Sequence, residues 1–256
     1  MRIIVLLFAL ALPLVAWFSS QGAFGPDNGT VSGRYPTLLV AAGYAFAIWG
    51  LIFLLDLVYA VWQATGVRRR DSTLSQIAPW AAAGFALTAL WMPLFSMGWF
   101  WACLVVILLA FVCLARCALI LSRDDQPLPQ QWLMAWTPLS LHAGWLSVAA
   151  FLNIAQVVVA YRLLSTTDML GWSLALFAVA AIVLLGLNRR MRGNIGYVAA
   201  AVWGLIAIHM QQSSWDLRGA SIAGGVALGI ALVLVVQTVW LRMRERDGLV
   251  PGAANP

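Results

Sequence analysis

Residues 38–70 read LLVAAGYAFAIWGLIFLLDLVYAVWQATGVRRR. The stretch 38–63 carries a single charge, Asp56, and three arginines follow at Arg68, Arg69 and Arg70. About 20 apolar residues suffice for a helix to cross the hydrocarbon core of a bilayer. The stretch therefore predicts a membrane-crossing helix that stops at a basic boundary. Working outward, the same pattern recurs. Apolar runs of spanning length fall at 3–20, 38–63, 78–95, 100–121, 134–160, 169–187, 195–211 and 219–241, with short polar connections between them. The expected fold is all-α, a polytopic transmembrane bundle of about eight helices.

Composition agrees with this. Of 256 residues, 63% are hydrophobic and 9% charged, whereas a soluble domain is about one quarter charged. A soluble core grows too slowly with chain length to hide that much apolar surface. The basic residues are all arginine, and the formal net charge is +6. A nucleic-acid binder would gather such charge on one accessible face. Here the arginines sit between apolar runs, so membrane orientation explains them and nucleic acid is not an expected partner.

Arginine favours cytoplasmic loops. With the N-terminus inside, the inner segments hold Arg2, Arg68, Arg69, Arg70, Arg116, Arg123, Arg189, Arg190, Arg192, Arg242, Arg244 and Arg246, twelve of the fifteen. Only Arg34, Arg162 and Arg218 fall outside. Both termini are then cytoplasmic. A rival reading of the first run is a cleaved signal peptide, since Arg2, a short apolar run and small residues up to Ala23 fit one. Trp17 and Phe18 fit poorly just ahead of a cleavage site, so a retained helix is expected.

Three runs carry stripes at helical spacing, steps of three and four that keep residues on one face. The second run has Phe46, Trp49, Phe53, Asp56 and Ala60. The third has Gly84, Thr88, Trp91 and Phe95, and the fifth His142, Trp145, Ala149, Asn153 and Gln156. Helix packing alone accounts for many aromatic stripes. Ionisable and polar groups at membrane depth are rarer and usually face a cavity or a partner. Three such stripes describe a pocket for a flat apolar ligand. Most other tryptophans lie near run ends, where an indole suits the interface.

Asp56 and His142 are both expected roughly 11 Å above the inner boundary, at about 1.5 Å per residue. That depth predicts a contact between them, which would relieve a lone intramembrane charge. Asp56 snorkelling or protonated, with His142 on a backbone carbonyl, is the alternative. Cys103, Cys113 and Cys117 read as small buried hydrophobes. Ser221, Gly225 and Gly229 have small-xxx-small spacing, which allows close helix approach and a possible homodimer. No nucleophile–base pair, metal-ligand spacing or phosphate-binding glycine loop is found. Catalytic residues, metal ligands and a firm cofactor are therefore not assigned.

The run from Gly43 to Phe53, GYAFAIWGLIF, resembles the second-helix signature of the tryptophan-rich sensory proteins, the TspO/MBR (translocator protein) family. Gly25-Pro26, Asn28-Gly29-Thr30 and Tyr35-Pro36 resemble the loop before that helix in longer bacterial members. Pro138, Leu139, Ser140, Gly144-Trp145, Ala149 and Leu152-Asn153 are similar to the fifth helix, and Gly196-Tyr197 with Trp203 to the seventh. The sequence departs from the family at Ala41, where proline is usual, at Phe53 for tyrosine and at Thr88 for asparagine. The resemblance implies a five-helix unit over 1–165 and three further helices over 166–256. It also implies a bacterial inner-membrane protein whose pocket binds porphyrins or other hydrophobic molecules, with Phe46, Trp49, Trp145 and Asn153 carried over.

Together, the stripes and the resemblance predict a sensor, carrier or sequestering protein for a tetrapyrrole-like hydrophobic ligand. The expected ligand-binding residues are Phe46, Trp49, Phe53, Asp56, Thr88, Trp91, His142, Trp145 and Asn153. Three other readings stay open: a secondary transporter, a structural or assembly factor without ligand, and an enzyme acting on a bound pigment. Beyond the ligand, the expected partners are membrane lipid and a second copy of the chain.

Overall fold

The computed structural model describes the backbone of residues 1–248 and, apart from Val67, the side chains as far as Arg244. The side chain of Arg246, counted above with the inner arginines, lies outside the described residues. Every element among the described residues is helical, and eight helices are long and apolar enough to cross a membrane. They are α1 (Arg2–Ser20), α3 (Ile48–Gln63), α4 (Ser72–Ser96), α5 (Phe100–Leu121), α6 (Thr137–Ala160), α7 (Leu170–Arg190), α8 (Ile195–Ser214) and α9 (Ala220–Gly248). A short helix, α2 (Asn28–Gly33), sits between α1 and α3.

Besides the end of α9, which runs on to Gly248 rather than 241, two boundaries differ from expectation by more than three residues. Residues 38–42 are apolar enough to span but are not helical; a 3-10 turn, Gly43–Ala47, then leads into α3. Part of their backbone bonding comes from α8 instead. The Ala42 N–H donates to Ala207 O at 3.0 Å, and Gln212 Nε2 donates to Thr37 O and Val40 O at 3.1 and 3.2 Å. Irregular backbone at membrane depth is tolerated where protein supplies such partners. At the other boundary, α4 starts six residues before the expected 78. Asp71 caps it, its Oδ1 accepting the Leu74 N–H at 2.7 Å.

α2 was not expected. Asp27 caps it, accepting from the Thr30 N–H and hydroxyl, and these bonds hold its carboxyl below the usual carboxylate range. A carboxylate depressed by folding stabilises above its unfolded pKa and loses that contribution as pH falls through the folded one. The α2 cap is therefore intact at neutral pH and is lost as pH falls below the usual carboxylate range.

The inner arginines gather at one end. Arg2 donates to Gln63 Oε1 at 3.0 Å and to Arg68 O at 3.2 Å, tying α1 to the α3–α4 connection. Arg123 donates to Arg190 O, and Arg242 to Gly193 O at 2.8 Å. A π turn, Trp132–Trp136, precedes α6 and packs against α3, so both groups share that end. α1 packs on α4 and α3, and α4, α5 and α6 pack in series. α8 then covers α6, and α9 packs on α8 and α7. α8 comes very close: a Cβ on Gly144 would lie 2.1 Å from Tyr197 O. Cys103, Cys113 and Cys117 are buried in α5. Ser221, Gly225 and Gly229 lie on the exposed face of α9, with open space where a Cβ would stand on either glycine.

Candidate functional site

The three stripes meet. Phe46, Trp49, Trp91, Trp145 and Asn153 line one cavity, together with Phe95, Ala149, Leu152 and Gln156 from the same helices. Ser32 of α2 and Val40 of the non-helical segment complete it. Trp49 is central. Its ring centroid lies 5.8 Å from Trp145, 6.2 Å from Trp91 and 5.1 Å from Phe53. Phe46 sits edge-on to Trp145 at 6.4 Å, and Phe95 stacks on Trp91 at 4.7 Å. Such ring pairs contribute roughly 0.5–1.5 kcal/mol each beyond area burial. They leave a free volume of only ≈ 20 Å³, room for about one water.

The cavity's polar groups divide into satisfied and unsatisfied. Trp91 Nε1 donates to Asn153 Oδ1 at 3.0 Å, and Asn153 Nδ2 donates to Ala149 O at 2.9 Å. Those bonds fix the Asn153 amide. In contrast, Trp49 Nε1, Trp145 Nε1 and Gln156 Nε2 are buried with no acceptor among the described residues. Each orphaned donor costs about 1–3 kcal/mol. Three on one cavity lining are costly for a site that serves packing alone.

The remaining site residues form a layer nearer the arginine-rich end. His142 Nδ1 is 2.7 Å from Asp56 Oδ2, and His142 Nε2 is 3.3 Å from Thr88 Oγ1. All three are buried, with Asp56 and His142 at 0% exposure. The expected Asp56–His142 contact is thus present. An imidazole protonated at Nδ1 donates to Asp56 and accepts from the Thr88 hydroxyl. Phe85 stacks on the imidazole at 6.0 Å and Trp49 meets it edge-on at 5.7 Å. The order carboxylate, imidazole, hydroxyl is that of an acyl-transfer triad. None of the three lines the cavity; they pack against the aromatic layer beside it. Phe53 likewise stacks on Trp49 without lining the cavity.

Sequence reasoning missed three lining residues, Leu152, Ser32 and Val40. Ser32 and Val40 belong to no periodic stripe, because neither lies on a spanning helix. The reach of α8 was missed as well. Besides the Gln212 bonds, Trp203 Nε1 donates to Ala45 O at 3.1 Å and its ring meets Tyr44 edge-on at 5.4 Å. Gly204 of α8 faces Val148 and Trp145. The available signal was Trp203, an indole near the middle of the 195–211 run that needs a partner; Gln212 falls just past that run among Gln211, Ser213 and Ser214. No group of three or more His, Cys, Asp or Glu residues among those described is placed to hold a metal.

A family model described as TSPO-like protein matches residues 2–240. No curated protein and no solved structure matches the chain. The family match takes in the stripes, the cavity and α8, and runs well into α9. The chain belongs to the family of TSPO-like proteins.

Proposed function

We propose that this membrane protein binds a flat, hydrophobic, tetrapyrrole-like molecule between Trp49, Trp91 and Trp145, as a sensor, carrier or sequestering protein. One observation carries the reading: three residues with orphaned donors, Trp49, Trp145 and Gln156, line one aromatic cavity. An aromatic ligand with carboxylate or carbonyl acceptors supplies both the ring faces and the missing acceptors. Ligand pockets are usually about 300–1,000 Å³, so the rings must part to admit one. The segment holding Val40 is the non-helical part of the wall, and α8 holds that segment. Association should therefore be slow, below about 10⁵ M⁻¹s⁻¹, which stopped-flow quenching of Trp emission would read. Mass spectrometry of small molecules co-purifying with the solubilised protein tests the identity. The expected result is an aromatic ligand that is depleted from Trp145→Leu. Identical small-molecule content in both proteins would contradict the proposal.

A transporter is the second reading, favoured by the unwound residues 38–42 beside the cavity. Transporter sites often use broken helices. Uptake into proteoliposomes would select it, and saturable binding without uptake would select the first. A homodimer through Ser221, Gly225 and Gly229 is a further proposal, since that stripe is exposed.

The proposed location is a bacterial inner membrane with both termini cytoplasmic, on the strength of the arginine distribution. Single cysteines at Asn28, Ser165 and Ser214 should react with an impermeant thiol reagent added to intact cells. Those at Arg70, Asp125 and Arg189 should not. Labelling at residue 70 would invert the orientation.

A further inference from the structure

A second cavity, of ≈ 670 Å³, opens at the arginine-rich end between the start of α6, the α7–α8 connection and α9. It shares no lining residue with the aromatic site. Its walls are mostly apolar, with Leu121, Leu141, Ile195 and Ala199, and its rim carries Arg192 and Arg242. Ile195, Ala199 and Arg242 also line a groove of ≈ 460 Å³ between α8 and α9. That groove continues past Val202 and Val235 and is lined partly by the exposed Val239 and Met243, so it runs from the arginines along the outer apolar surface between α8 and α9. A cationic mouth leads onto an apolar surface groove.

The arginines are placed for an anion. Arg242 is anchored by its Nε bond to Gly193 O and by its guanidinium 5.7 Å from the Trp136 ring centroid. The anchoring bond uses one of five guanidinium donors. Arg192 also faces this lining and meets Asp125 at 3.8 Å, both side chains exposed. The one acidic group on the lining, Asp124, already accepts from Gln131 Nε2 at 2.6 Å. The π turn Trp132–Trp136 brings Trp132 and Trp136 to the same mouth. Indoles there suit a headgroup boundary, and π turns frequently mark functional sites.

We propose that the cavity and groove hold one anionic phospholipid, its phosphate at Arg192 and Arg242 and an acyl chain between α8 and α9. Basic pockets between helices at a membrane boundary take such headgroups. A free phosphate would leave the apolar walls and groove unused.

The test uses the full chain in neutral detergent, with lipid retention read by native mass spectrometry. The probes are dioleoyl phosphatidylglycerol, dioleoyl phosphatidylcholine and inorganic phosphate. Phosphatidylglycerol should be retained preferentially, and Arg242→Gln should lower its affinity about fivefold, from roughly 1 kcal/mol per arginine. Arg192→Gln combined with Arg242→Gln should abolish the preference. Ala199→Phe fills both spaces at an exposed helix position without changing charge, and should also expel the lipid. Equal retention of the two lipids would overturn the proposal. So would an unchanged preference in the double variant, or inorganic phosphate displacing the lipid at equal concentration.

Discussion

His142→Ala should destabilise the solubilised protein by about 3–5 kcal/mol, the usual consequence of leaving a buried charge without its partner. The reason is local. Asp56 is fully buried, and its Oδ1 has no partner among the described residues. Its Oδ2 has His142 at 2.7 Å. Without the imidazole both oxygens are stranded in an apolar interior, and the Thr88 hydroxyl loses its acceptor. For a chain of this size the midpoint of thermal unfolding should fall by roughly 6–20 °C. His142→Gln, which keeps a donor, should lose less. Asp56→Asn and His142→Gln should be non-additive, with a coupling of about 0.5–3 kcal/mol. Strictly additive losses would mean that the two side chains do not stabilise one another.

Gly144→Ala should be nearly as damaging, at about 3 kcal/mol, the upper part of the usual range for overpacking. The new methyl carbon would lie 2.1 Å from Tyr197 O and 2.8 Å from its carbonyl carbon. Backbone cannot rotate aside as a side chain can, so α6 and α8 must separate. Separation would also loosen Gln212 and Trp203, which hold residues 37–45 beside the cavity. Ligand affinity should therefore fall together with stability. Gly186→Ala, within α7, is the control: it meets open space and gains helix propensity. Equal unfolding midpoints for the two variants would contradict the close approach.

Spanning helices were legible because length and apolarity decide them. The α5 run 100–121 was read to the residue. The stripe residues were legible because steps of three and four leave one face, and Trp49, Trp91 and Trp145 do meet. Depth along the helix axes was enough to pair Asp56 with His142. Residues 38–42 were misjudged because hydropathy reports burial and not backbone shape. Leu38 and Leu39 are indeed buried, but part of their segment's backbone bonding comes from α8 instead of a helix. The same blindness hid Val40, and α2 was lost because six polar and small residues have no period. The second cavity was not legible at all: it depends on the π turn and on where three distant segments converge.

The most direct test of the ligand site is an equilibrium titration of the solubilised chain with protoporphyrin IX, followed by Trp emission. Trp145→Leu is the comparison, since it removes a ring face and an orphaned donor together. Quenching should saturate in the native chain, and the variant should bind about tenfold more weakly, the equivalent of 1.4 kcal/mol. Quenching that never saturates and is equal in both proteins would show partitioning into detergent, and would contradict a binding site between Trp49, Trp91 and Trp145.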